Sequence, residues 1–256
     1  MGAAIGIVGG LGPYAGLDLV KKLHDSVDVH TDQDYPDVFV ASVPRVIPDR
    51  SRYILNPSSE NPAVGIIYCI DKLARIGATH IGIPCNTAHA PIILNQVKAY
   101  VDLNGLGVQI FHIVQETYNF AKEHLGSGKV GLLATSGTYA SLVYPTLFEA
   151  ETYFELIEPD EEEKNLVYDA IYSREFGIKT WSNPVQEQAV ENLTRVSNLL
   201  HERGSEAVIM GCTEIPLALG RVKLPFPVLD PALILARALV KAVLPQRLKP
   251  LKKSML

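Results

Sequence analysis

Leu73, Gly77 and Cys85 recur as Leu200, Gly204 and Cys212 with the same gaps, four residues and then eight. Each copy reads as a helix end, a glycine stop, a short apolar strand and a cysteine followed by small polar residues. Those residues are Asn86-Thr87 in one copy and Thr213-Glu214 in the other. A second landmark repeats as well: Ile5-Gly6-Ile7-Val8 is echoed by Val130-Gly131-Leu132-Leu133. The paired glycines stand 125 residues apart and the paired cysteines 127. That offset is far longer than the roughly 20–50 residues of a solenoid repeat, so a duplicated half-chain is expected.

The run 3–8 is unbroken apolar sequence, as in a strand buried on both faces of a parallel sheet. Gly9-Gly10-Leu11-Gly12-Pro13 reads as a turn, with Pro13 suited to the first helical position, and a helix follows to about Val27. Further strands are expected at 38–43, 78–83, 108–111, 129–134, 153–157, 207–210 and 225–229. Helices are expected at 62–77 with Asn61 as cap, 91–102, 113–124, 137–150, 160–172, 184–203 with Asn183 as cap, and 231–243. The segment 44–61, with its prolines and Arg45, Arg50 and Arg52, reads as long and irregular, and such loops are usually functional. Alternating strands and helices make the fold α/β, with two pseudo-symmetric lobes, each a parallel-type sheet flanked by helices. Residues 1–104 plus 213–256 are assigned to the first lobe and 105–212 to the second. Ligands bind off the C-terminal ends of parallel strands, where both cysteines lie, so the site is expected in the cleft between lobes.

At 256 residues with 47% hydrophobic content, there is material for one large domain or two smaller ones. A net charge of −5 argues against nucleic acid or an anionic membrane as partner. No apolar run approaches the ~18 residues of a membrane helix. The basic tail, Arg247, Lys249, Lys252 and Lys253, reads as a solvated end. The start, Met1 to Ile5, has no charged n-region, so no signal peptide is expected, and its run into a core strand discounts lipidation at Gly2. Cys69, Cys85 and Cys212 are too few and too far apart for a disulfide framework and fit a reducing cytoplasm. Without a C-x-x-C pair no metal site is expected.

A thiol at a helix start is acidified by free backbone N–H groups. Two thiols flanking one carbon suit removal of a proton from one face and its return on the other, which is racemisation without a cofactor. Asn86, Thr87 and Thr213 are placed to hold an α-carboxylate. A second carboxylate would want a guanidinium, and Arg50 is the choice within 44–61. Thr135 and Ser136, at the end of the repeated first strand, are expected to face the cleft. Glu214 either favours its helix N-terminus or orients the substrate amine or a thiol. Cys69 reads as a small hydrophobe, His89 as a helix-start group, and Tyr144 and Tyr172 as packing groups.

The motifs Gly9-Gly10-Leu11-Gly12-Pro13, Asp32-Gln33, Pro48-Asp49-Arg50, Pro84-Cys85-Asn86-Thr87-Ala88-His89, Gly211-Cys212-Thr213-Glu214-Ile215-Pro216 and Asp230-Pro231 carry a resemblance. With them the chain resembles the aspartate/glutamate racemase family, the pyridoxal-independent, two-cysteine group. The resemblance implies Cys85 and Cys212 as the acid/base pair, with Arg50, Asn86, Thr87 and a lysine, Lys179, as substrate ligands. It also implies a homodimer acting on a small amino-acid substrate, aspartate or else glutamate. Departures are Gly16 where the family has a small Thr, Arg45 in a longer loop where it rivals Arg50, and a long stretch 173–181 ending in Trp181. Rival readings are an NAD-dependent oxidoreductase, from Gly10-x-Gly12-x-x-Ala15 followed by Asp28 or Asp32, and a non-catalytic amino-acid-binding protein. A diacid decarboxylase or isomerase with the same lobes is a third.

Overall fold

The strands at the two ends of the sequence repeat sit at equivalent places in two separate parallel sheets. In the computed structural model, which describes residues 2–148, 150 and 152–251, β1 (Ile5–Gly9) is buried throughout and lies between β2 (Val38–Ser42) and β3 (His80–Gly82). β4 (Gln109–Phe111) pairs with β3, giving the order β2-β1-β3-β4. The second sheet repeats the plan. β5 (Gly128–Leu133) lies between β6 (Phe154–Ile157) and β7 (Ala207–Met210), and β8 (Val228–Leu229) pairs with β7. Val38 and His80 flank Ile5, and Leu156 and Ala207 flank Val130. Sheet membership departs from the expected lobe boundaries: β4 falls in the first sheet and β8 in the second, because each finds its parallel partner there.

The helices form for local reasons. α1 (Pro13–Asp25) follows the glycine turn, and Gly16 lets it approach Gly9, whose Cα lies 3.2 Å from where a side chain would start. α2 (Arg50–Leu55) is a correction: Asp49 caps it by accepting from the Arg52 N–H at 2.7 Å, so part of 44–61 is helical rather than irregular. α3 (Pro62–Arg75) is capped by Asn61, which accepts from the Ala63 N–H at 2.9 Å, and Gly77, at φ +104°, ends it. After α4 (Pro91–Leu103) and α5 (Ile113–His124), the helix expected at 137–150 is two short ones, α6 (Ser136–Ala140) and α7 (Pro145–Phe148). Leu142 at φ +54° and Pro145 break it. Glu149 of that stretch lies outside the described residues, as do Met1, Lys252 and Lys253.

α8 (Glu161–Tyr172) starts on a reciprocal capping box between Asp160 and Glu163. α9 (Glu187–Glu202) begins three residues later than expected, with Gln186 rather than Asn183 before it. Residues 177–182 are instead tied back on themselves, Trp181 N–H to Gly177 O and Ser182 Oγ to Ile178 O. α10 (Ile215–Leu219) and α11 (Pro231–Val243) complete the chain.

Three features hold the lobes together. Ile5, Ile7, Val130, Leu132 and Ile209 belong to one hydrophobic core. α11 packs on α1, α5 and β3; Leu239 Cδ1 would lie 2.7 Å from a side-chain carbon at Gly82. α2 rests on α6, and Gly137 is needed there, since a Cβ would lie 2.4 Å from Ser51 Cα. At the α1–α11 seam Lys22 is bonded to both Asp18 and Asp230, the latter at 2.6 Å. Asp230 also caps α11 through the Ala232 and Leu233 N–H groups. Arg247 in the basic tail pairs with Asp34 at 2.7 Å, and Lys249 donates to Asp25 O, so these two are anchored rather than simply solvated. No helix among the described residues is long and apolar enough to cross a membrane.

Candidate active site

β3 and β7 each run into a buried stretch that ends in a cysteine. Past Pro84, Cys85 leads a 3₁₀ turn, Asn86–His89, rather than an α-helix, and α4 starts only at Pro91. Past Gly211, Cys212 precedes the five-residue α10. The helix start expected at Cys85 is therefore displaced six residues downstream. Cys85 and Cys212 are each 6% exposed, and both line one narrow cavity. Nine of the residues singled out from sequence line it: Arg50, Cys85, Asn86, Thr87, Thr135, Lys179, Cys212, Thr213 and Glu214. Leu11, Ser51, Tyr172 and Gly211 complete the wall. The cavity holds about 10 Å³, room for roughly one water molecule.

Hydrogen bonds across the lobes fix this wall. Thr213 Oγ1 donates to Pro84 O at 2.9 Å. Thr87 Oγ1 lies 2.8 Å from Thr138 Oγ1 and 3.2 Å from Thr135 Oγ1, and Ser51 Oγ donates to Thr135 Oγ1 at 3.3 Å. Tyr144, expected only to pack, donates its hydroxyl to Asn86 Oδ1 at 2.8 Å, which aims the amide nitrogen. His89 is buried, with Nδ1 2.9 Å from Cys85 O and Nε2 3.3 Å from Phe111 O, and its single ring N–H can donate to one of these carbonyls. Burial, helped by His112, pushes its pKa down to about 3, so it stays neutral.

The charges are paired unevenly around the two thiols. Cys212 Sγ donates to Glu214 Oε2 at 3.0 Å. Burial first, then the Glu214 carboxylate, holds the Cys212 thiol well above its usual pKa, so it rests protonated. The other oxygen of Glu214 pairs with Lys179. Burial opposes both charges, but each holds the other ionised: Glu214 is lowered and Lys179 raised. Arg50, 9% exposed, donates to Leu11 O and Pro48 O. Burial works against its charge, and Cys85, Asp49 and Glu214 outweigh that. Two buried donors in the wall, Arg50 Nε and Asn86 Nδ2, have no partner. Unpaired buried donors are costly, so these two suit an anionic ligand.

Beside this chamber lies a vestibule of about 460 Å³ that opens to solvent. Leu11, Arg50, Lys179 and Glu214 line both. Tyr14 and Trp181, each more than two-fifths exposed, stand in the vestibule wall. The glycine turn shapes the shared wall: a Cβ on Gly12 would lie 2.3 Å from Glu214 Oε1.

Arg45 is exposed and lines neither cavity, whereas Arg50 lines both. Ser136 is also exposed, on an outer hollow with Tyr139 and Glu161, which corrects the expectation that it faces the cleft. Asp32 and Gln33 are exposed, away from the chamber. Sequence reasoning missed Leu11, Ser51 and Gly211 and took Tyr172 for packing alone; their adjacency to Gly12, Arg50, Cys212 and the 173–181 stretch was the available signal. Cys69 is buried inside α3, and burial pushes its pKa up to about 11. Among the described residues no group of three or more His, Cys, Asp or Glu is arranged to hold a metal ion.

Residues 8–239 match the model of the Asp/Glu/hydantoin racemase family. The chain is 24% identical to the broad specificity amino-acid racemase RacX of Bacillus subtilis, over 94% of this chain and 98% of that protein. Among solved structures it is similar to the aspartate racemase of Picrophilus torridus, at 27% identity and TM-score 0.81, covering 99% and 98% of the two chains. An aspartate racemase homologue from Pyrococcus horikoshii OT3 matches at 26% identity and TM-score 0.70, over 94% and 98%.

Proposed function

Because the chain belongs to the Asp/Glu/hydantoin racemase family, an isomerase family, we propose that it interconverts L- and D-aspartate by proton transfer at Cα between Cys85 and Cys212. The observation that carries this reading is that both thiols line one chamber, contributed by equivalent strand ends of the two sheets. One cysteine, as its thiolate, takes the Cα proton while the other, as its thiol, delivers a proton to the opposite face, and the roles reverse for the other enantiomer. Cys212, resting protonated on Glu214, is the ready donor. The unpartnered Asn86 Nδ2 and the hydroxyls of Thr87, Thr135 and Thr213 receive the α-carboxylate, whose charge grows as the carbanion-like state develops.

The charges in the wall complement an acidic amino acid. Arg50 and Lys179 offer two cations for two carboxylates, and Glu214 offers one anion for the ammonium. The likeness to the Picrophilus torridus aspartate racemase supports aspartate as that amino acid, and glutamate is the comparison substrate. The enzyme works without a cofactor, as a cytoplasmic homodimer. Incubation of pure protein with L-aspartate or L-glutamate in D₂O, without pyridoxal phosphate, tests this. The expected result is solvent deuterium at Cα together with the D enantiomer, fastest for aspartate. Absence of exchange with either substrate overturns the reading.

A further inference from the structure

A chamber of about 10 Å³ holds roughly one water, so no amino acid reaches the thiols unless part of its wall moves. Leu11, Arg50, Lys179 and Glu214 line both this chamber and the 460 Å³ vestibule. Three of these are fixed. Leu11 is 2% exposed in the glycine turn, Arg50 is tied to two carbonyls, and Glu214 is 3% exposed with Cys212 on its second oxygen. The Lys179 side chain is 25% exposed, and its ammonium is held by Glu214 Oε1. Its backbone is anchored by its N–H to Ile171 O, and the neighbouring Ile178 is fully buried. The flexible four-carbon stem is therefore the part free to swing.

Resting on the racemase reading, we propose that the Lys179–Glu214 ion pair is an anion-selective door between vestibule and thiol chamber, opened when an incoming carboxylate replaces Glu214 on the Lys179 ammonium. A neutral molecule offers Lys179 nothing in exchange for the buried carboxylate and stays in the vestibule. Selection for acidic substrates thus begins at entry, before any proton moves. Gly12 belongs to the same device, because a side chain there would occupy the Glu214 Oε1 position.

Two alkylating reagents of nearly equal size test the door without relying on turnover. Iodoacetate carries a carboxylate and iodoacetamide does not. Each forms a carbon–sulfur bond to Cys85 or Cys212, releasing iodide and the thiol proton, and peptide mass spectrometry reads the site. Cys69, buried in α3, is the internal control. Rates are normalised to each reagent's rate with free cysteine. The expected result is iodoacetate modifying a chamber cysteine about tenfold faster than iodoacetamide, the size of one charge-assisted contact. Lys179→Met should abolish that preference and Lys179→Arg should keep it. Equal normalised rates on the natural protein, or a preference that survives in Lys179→Met, overturn the proposal. Racemisation of L-aspartate is measured on the same samples. A preserved reagent preference with no racemisation would sink the racemase reading and leave the door standing.

Discussion

Gly12 has no side chain, and the carboxylate of Glu214 lies where one would begin. In Gly12→Ala the clash falls on the end of a flexible side chain, so the fold should survive while Glu214 shifts off Lys179 and Cys212. A displacement of about 1 Å near reacting groups costs on the order of 10²-fold. We therefore expect kcat/KM for aspartate to fall about 10²-fold and Tm to fall with it, because the buried Glu214–Lys179 pair is loosened, read by polarimetry and calorimetry. For the thiols, Cys85→Ser and Cys212→Ser should each lower kcat by roughly 10²–10⁴-fold, the usual contribution of a positioned acid or base. His89 gives a prediction in pH. Its pKa falls from 6.5 to about 3 on burial, so between those values the folded chain binds fewer protons than the unfolded one. Stability is then lost as pH drops below 6.5. His112, lowered to about 4 for the same main reason, adds to this loss. His89→Asn should flatten, though not erase, the fall of Tm between pH 6.5 and 4.

At the level of elements, two contacts between lobes are exposed to single substitutions. Gly137→Ala places a carbon 2.4 Å from the Ser51 backbone, which cannot swing aside. The resulting separation of α2 from α6 should cost about 1–3 kcal/mol in denaturant unfolding and weaken the Ser51–Thr135 bond across the chamber. Lys22→Met leaves Asp18 and Asp230 facing each other at the α1–α11 seam without their cation. Removing one partner of such a partly buried pair should cost about 1–3 kcal/mol. The two pairs of strand, turn and helix around the cysteines were readable in the chain because glycine stops, caps and apolar runs all agreed there. α2 was not, because the proline and arginine content of 44–61 hid a single capping aspartate. α6 and α7 read as one helix because the break at Leu142 is a backbone conformation without a glycine to announce it.

For the molecule as a whole, one core runs through both sheets, from Ile5 and Ile7 to Leu132 and Ile209. Thermal unfolding should therefore be a single transition, with calorimetric and van't Hoff enthalpies equal, rather than two. That the two cysteines share a chamber was legible in advance because duplication places equivalent strand ends together, whereas Lys179 came only from the family resemblance. The chamber's closure was not, because the Lys179–Glu214 pair joins residues 35 positions apart over a turn from the start of the chain. The course of α11 has a further consequence. It leaves the second sheet after β8 yet lies against α1, α5 and β3, so turns made late roof elements made well before them. Those elements are thus made with a wall missing, and must wait for Leu235 and Leu239 to arrive before Gly82 and its neighbours are sealed from water.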